Sequence, residues 1–191
     1  MSKTFLSKKW VAALAATAAF AAFPTQAQTV LKIGHVLAKG SHYDIGANVF
    51  CENLDKNTQG RYKCQVYPAS ALGGEREQIE AVQIGTQDLV ITSTGPVGNF
   101  VPEMKVVDVP FLFRDYDHAR KVLDGKIGQD MLAKFSNHGL VALAWSENGF
   151  RHMTNNKRAI VSAADATGLK MRTMENKVHM EGYRAFGIQP T

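Results

Sequence analysis

Asp88-Leu89-Val90-Ile91-Thr92 decides the fold, because it is the third strand-like run in a series whose intervals read as helices. It is a short buried strand running into Ser93-Thr94-Gly95. Before it, Leu72-Gly73-Gly74-Glu75-Arg76 opens a helix with Ile79 and Val82 inward, which Gly85 closes. Further back, Gly60 turns the chain into a strand over 61–67, and Pro68 stops it. Ser41 caps a helix that carries Ala47, Phe50 and Leu54 on one face. The first strand covers 30–36, apolar through Val30, Leu31 and Ile33. Strand, helix, strand, helix, strand within the first hundred residues predicts an α/β sheet with right-handed crossovers.

Toward the C-terminus, residues 93–102 form a loop containing Gly and Pro, 106–109 read as a strand, and Pro110-Phe111-Leu112-Phe113 is an apolar connector. Asp115 caps a helix bearing Tyr116, Ala119 and Leu123. A second helix follows Gly125 with Ile127, Met131 and Phe135 inward, and Gly139 ends it. Residues 140–145 are continuously apolar, which predicts a strand covered on both faces. Glu147-Asn148-Gly149 then turns the chain, and 150–154 read as a strand. Near the end, Leu169 and Met171 alternate with Lys170 and Arg172, the pattern of a half-buried strand. Val178, Gly182, Ala185 and Phe186 follow on one helix face, with Asn176 as N-cap.

The expected organisation is a leader over 1–27, an α/β lobe over 28–147 and a partial second lobe over 148–191. The last segment holds at most two strands and one helix, too little to bury an independent core. The chain therefore reads as an incomplete protein. In the leader, Lys3, Lys8 and Lys9 precede an Ala-rich apolar run over 11–23, too short to span a membrane. Thr25-Gln26-Ala27 supplies small residues for a cut after Ala27, so the mature protein is expected to be exported and soluble. Cleavage removes three of the 22 basic residues and none of the 17 acidic ones, leaving 19 against 17. A mature charge of +2 gives no electrostatic footprint for nucleic acid. Export also makes Cys51 and Cys64, the only cysteines, a candidate disulfide between the first helix and the second strand. The alternative is two buried free thiols.

Arg172 carries the chemistry. It sits at the carboxyl end of a strand just before a helix N-terminus, the place where open α/β sheets bind ligands and backbone N–H groups favour anions. Its planar guanidinium can hold a carboxylate through two parallel hydrogen bonds. The alternative on local pattern is an ion pair with Glu175 at the surface. Other chemistries lack a pattern. The six histidines, at 35, 42, 118, 138, 152 and 179, show no i, i+4 pair and no cysteine cluster, so no metal site is expected. There is no nucleophile elbow, dinucleotide fingerprint or phosphate loop.

Five motifs stand in order and at matching intervals. They are Ile33-Gly34-His35, the run from Tyr67 to Arg76, the run from Asp108 to Phe113, Asn148-Gly149-Phe150-Arg151, and Gly168-Leu169-Lys170-Met171-Arg172. Together they resemble the DctP-type solute-binding proteins of tripartite ATP-independent periplasmic (TRAP) transporters, over essentially all of 30–191. The resemblance implies a two-lobed periplasmic-binding-protein-like architecture whose second lobe is incomplete here. It also implies a cofactor-free periplasmic receptor that closes on a C4-dicarboxylate, hydroxy acid or sugar acid and delivers it to membrane permease subunits. By motif, Arg172 matches the carboxylate clamp and Arg151 the second basic residue of the cleft. Glu75 falls where ligand hydroxyls or amines are read. Ser93 and Thr94 match the loop after the third strand, Glu175 and Asn176 the positions just past the clamp, and His42 the first loop. Two rivals remain open at this point: a periplasmic enzyme using Glu75 or Glu147 as acid or base, and a fragment without function.

Overall fold

The computed structural model describes residues 28–191, so the leader and its cut after Ala27 lie outside the described residues. Three parallel strands, β1 (Thr29–Gly34), β2 (Tyr62–Tyr67) and β3 (Leu89–Val90), form a sheet in the order β2-β1-β3. Thr29 to Gly34 pair in register with Tyr62 to Tyr67, and Ile33 pairs with Leu89 on the other side. Helix α1 (His42–Asn57) connects β1 to β2, and α2 (Glu75–Gln83) connects β2 to β3. Ser41 caps α1 by accepting from the Asp44 amide, as its position predicts. At Gly34 a Cβ would collide with the Gln78 amide oxygen and lie 2.8 Å from Gln87 Nε2, so a side chain there would have to push these two buried amides aside. This close approach lets α2 pack directly over β1.

The chain then makes α3 (Thr94–Val97), a 3-10 helix (Pro102–Asp108), α4 (Tyr116–Leu123), α5 (Lys126–Ala133) and a second 3-10 turn (Lys134–His138). The main core is Ile79, Val97, Val101, Met104 and Leu140, with Val82, Val90, Phe100, Met131, Phe135 and Trp145 packed around it. Each such side chain contributes about 1.5–3 kcal/mol when fully buried.

Three expected strands do not form. Residues 106–109 lie in or just past the 3-10 helix, whose first turn is set by Pro102. Burial there falls on Met104 and Asp108, four apart, while Val106 is half exposed. Residues 140–145 and 150–154 join no ladder. Val141 is 80 % and Leu143 63 % exposed, so the expected covering of both faces is not made among the described residues. In α5 and the turn after it the inward face is partly as expected: Met131 and Phe135 pack against the core, but Ile127 is 61 % exposed, and Gly128 and Leu132 are buried instead. The cause is the close crossing with α4, where a Cβ on Gly128 would strike the Leu123 carbonyl.

A second, two-stranded parallel sheet joins β4 (Lys170–Met171) to β5 (Gln189–Pro190) through α6 (Lys177–Ala185). Asn176 caps α6 through its side chain, accepting from the His179 amide at 3.1 Å. Ala166, Leu169, Met174 and Ile188 are the buried apolar residues of this part among the described residues.

Cys51 on α1 and Cys64 on β2 are joined in a disulfide with Cα atoms 5.4 Å apart. The bridge fastens a crossover helix to an edge strand. Reducing it, or the Cys51→Ser/Cys64→Ser pair, is expected to lower unfolding stability by about 3 kcal/mol, read as a fall in denaturation midpoint against the oxidised protein.

Candidate ligand site

The loops at the carboxyl ends of β3 and β4 face each other across the segment around Arg151. Two concavities meet at this residue. The first, of about 870 Å³, is walled mainly by apolar side chains from β3, the 110–113 connector, the 140–153 segment and α6. Tyr43, Ser93, Thr94, Asp108, Arg151 and His179 are among its polar lining. The second, of about 1010 Å³, lies between residues 151–158 and 168–174. Arg151, Lys157, Arg158, Lys170 and Arg172 line it, and no carboxylate does among the described residues. Arg158 is committed to the carbonyl oxygens of Asp165 at 2.7 Å and Thr167 at 2.6 Å. Arg151 and Arg172 have no carboxylate partner among the described residues.

The surface ion pair open to Arg172 is not made. Glu175 turns away and sits 3.5 Å from Arg76, which also holds Glu80 at 3.1 Å. The remaining candidate residues divide by what their polar atoms already do. One oxygen of Glu75 accepts from the Ser93 amide and Ser93 Oγ, each at 2.8 Å, and from Thr92 Oγ1 at 3.1 Å. Thr94 Oγ1 donates to Asp108 Oδ1 at 2.6 Å. Asn176 is buried, and its amide donates to Asp108 Oδ2 at 2.6 Å and to the Gly95 carbonyl at 3.0 Å. His42 Nε2 lies 3.1 Å from Asn148 Oδ1. The structure thus brings Arg151 and Arg172 to one concavity and Arg151, Ser93 and Thr94 to the other. Glu175 lines neither, and His42 lines neither.

Three polar residues of this region were missing from the sequence-derived set: Asp108, Tyr43 and His179. The signal for Asp108 is a lone charge inside the apolar run Val106 to Phe113, which a buried, hydrogen-bonded carboxylate explains. Tyr43 is 4 % exposed. Burial, reinforced by the nearby Glu75 charge and opposed by Arg151, pushes its phenol up to about 12, so it stays a protonated donor. His179 Nε2 lies 3.6 Å from Asp108 Oδ1. Burial lowers its imidazole pKa, Asp108 works against that, and Arg151 adds to it. No group of His, Cys, Asp and Glu among the described residues is arranged to hold a metal ion.

Parallel crossovers with basic side chains in the loops at their carboxyl ends place the concavities where open α/β folds take up ligands. The chain belongs to the bacterial extracellular solute-binding protein family 7, whose profile matches residues 33–191. Its architecture is the two-lobed one of periplasmic solute-binding proteins. It is similar, at 68 % identity and a TM-score of 0.85, to a TRAP periplasmic solute-binding protein from Polaromonas sp. JS666 bound to D-erythronate, covering 86 % of this chain and 54 % of that one. A solute-binding protein of Verminephrobacter eiseniae is 54 % identical over 86 % of this chain and 49 % of its own length. The C4-dicarboxylate-binding periplasmic protein DctP of Rhodobacter capsulatus is 35 % identical over 84 % and 48 %. The chain spans about half the length of the curated relatives it matches.

Because His179 is held neutral, its folded pKa lies below the unfolded value of about 6.5. Its contribution is complete above that value and is lost as pH falls, since the unfolded chain then binds the extra proton. Melting temperature is expected to drop between about pH 7.5 and about pH 5.5, and His179→Gln is expected to flatten that drop. A parallel decline in both proteins would remove His179 from the effect.

Proposed function

We propose that the chain is the ligand-binding part of a periplasmic receptor that captures a small organic carboxylate for a TRAP-type permease. The observation that carries this reading is the pair Arg151 and Arg172, left without carboxylate partners around a concavity lined by no acid among the described residues. Arg172 clamps the ligand carboxylate in bidentate fashion, and Arg151 supports it. A short hydroxy acid is favoured, because the relative at 68 % identity holds D-erythronate. Residues 28–147 and 148–191 act as the two lobes, with the turn at Asn148 between them and closure on the ligand as the working motion. Ser93, Thr94, Glu75 and Asn176 serve behind the binding surface, where their polar atoms fix the loops.

A binding rather than catalytic role is supported by the two carboxylates an acid/base mechanism would draw on. Glu75 is held by Ser93 and Thr92, and Glu147 is held by Arg120 through bonds of 2.7 and 3.1 Å. The reading needs no cofactor. Arg172→Lys keeps the charge and loses the fork, so calorimetric affinity for D-erythronate is expected to fall at least about tenfold. Unchanged affinity would remove Arg172 from the clamp.

A further inference from the structure

Asp108 opens the apolar motif that runs to Phe113, and the anion-binding reading leaves it without a task. Its carboxylate is buried and its oxygens are divided. Oδ1 accepts from Thr94 at the end of the first sheet, and Oδ2 accepts from Asn176 at the start of α6. Asn176 stands four residues after Arg172, and its side chain has no free hydrogen-bonding atom: both amide hydrogens and the oxygen are used, the oxygen on the His179 amide. Between these points Met174 is wedged against Ser93 Oγ at 3.2 Å and Arg151 Nη2 at 3.8 Å. The turn that carries Arg172 is therefore fastened to the first sheet through Asp108, and the same turn touches Arg151.

We propose that Asp108 is a positioning residue for carboxylate capture: through Asn176 it holds the Met174–Asn176 turn so that Arg172 and Arg151 present their guanidinium groups to one anion. The proposal rests on the receptor reading given above. Asp108 does not touch the ligand. It acts by accepting two short bonds from groups that would otherwise be buried donors without partners. Removing the carboxylate frees the turn to rotate, and the two guanidinium groups then lose their shared geometry while keeping their charge.

The test is calorimetry of the full chain with D-erythronate, beside thermal melts of each variant. Asp108→Asn places amide against amide, and Asn176→Asp places two carboxylates together; each is expected to weaken binding at least about tenfold. The exchange D108N/N176D restores one donor facing one acceptor. The amide introduced at position 108 can still accept from Thr94, and the carboxylate introduced at position 176 can still cap α6. The exchange is expected to recover affinity to within about fivefold of the wild type, because only the bond to the Gly95 carbonyl is lost. Recovery by exchange is not expected of a residue that merely adds stability. Should a single variant fail to fold, Thr94→Val carries the test, with an expected loss of about threefold. Single variants binding within twofold of wild type, an exchange no better than the worse single, or full affinity in Thr94→Val would overturn the proposal and leave the receptor standing. A wild-type protein that binds neither D-erythronate nor succinate would overturn both.

Discussion

A carboxylate taken out of water must be satisfied or neutralised, and at Asp108 the fold satisfies it with neutral donors. Thr94 and Asn176 each approach to 2.6 Å, while His179, the basic side chain paired with Asp108 among the described residues, stays 3.6 Å away with its pKa lowered by burial. The consequence reaches both sheets. Thr94 follows β3, Asn176 starts the helix after β4, and one buried anion fixes the distance between them. The carboxyl ends of the strands, where parallel sheets offer their loops to ligands, are thereby set facing each other.

The positive charge of the site survives because nearby carboxylates are diverted. Glu175, within the turn, pairs with Arg76; Glu147 pairs with Arg120; Glu75 is absorbed by Ser93 and Thr92. Asp165 accepts from the Ser162 hydroxyl and from the amides of Ser162 and Val161, and these bonds hold its carboxyl below the usual range. Leaving Arg151 and Arg172 unpaired costs little, since both are exposed and hydrated. On the receptor reading proposed above, their desolvation would wait for the anion, whose charge-assisted bonds would strengthen as water leaves.

Much of this was legible in the sequence, for reasons that differ by element. The first three strands and their crossover helices carry apolar periods, a cap at Ser41 and a stop at Gly85, and α6 carries its own cap at Asn176, all local signals that the fold obeys. The strand expected at 140–145 carries an equally clear apolar signal, yet a strand exists only when a neighbour supplies its ladder, and periodicity says nothing of neighbours. The turn at 106–109 misled differently: β-branched residues suggested a strand, while Pro102 and the burial of Met104 and Asp108 made a 3-10 helix. For the candidate site, the family motifs named Arg151, Arg172, Ser93 and Thr94, which line the two concavities, but sequence order cannot tell a residue that would meet a ligand from one that braces it. Glu75 and Asn176 are engaged by protein atoms, a fact visible only once donors and acceptors are counted.

Met174 shows how a residue without charge can set the geometry of charged ones. Its thioether fills the space above Gly95, where even one added carbon would sit 2.5 Å from the methyl group. The backbone at 95 can therefore approach the turn closely enough for Asn176 to reach the Gly95 carbonyl and Asp108 together. From that position the sulfur contacts Ser93 Oγ on one side and Arg151 on the other. An unbranched, polarizable side chain suits this place, because it adapts to both neighbours without demanding a hydrogen bond of its own. A branched residue would leave a gap or force the turn outward, and the guanidinium groups at 151 and 172 would lose the common reference that the seam provides. The smallness of Gly95, the softness of Met174 and the buried charge of Asp108 are thus three parts of one constraint on where Arg151 and Arg172 can point.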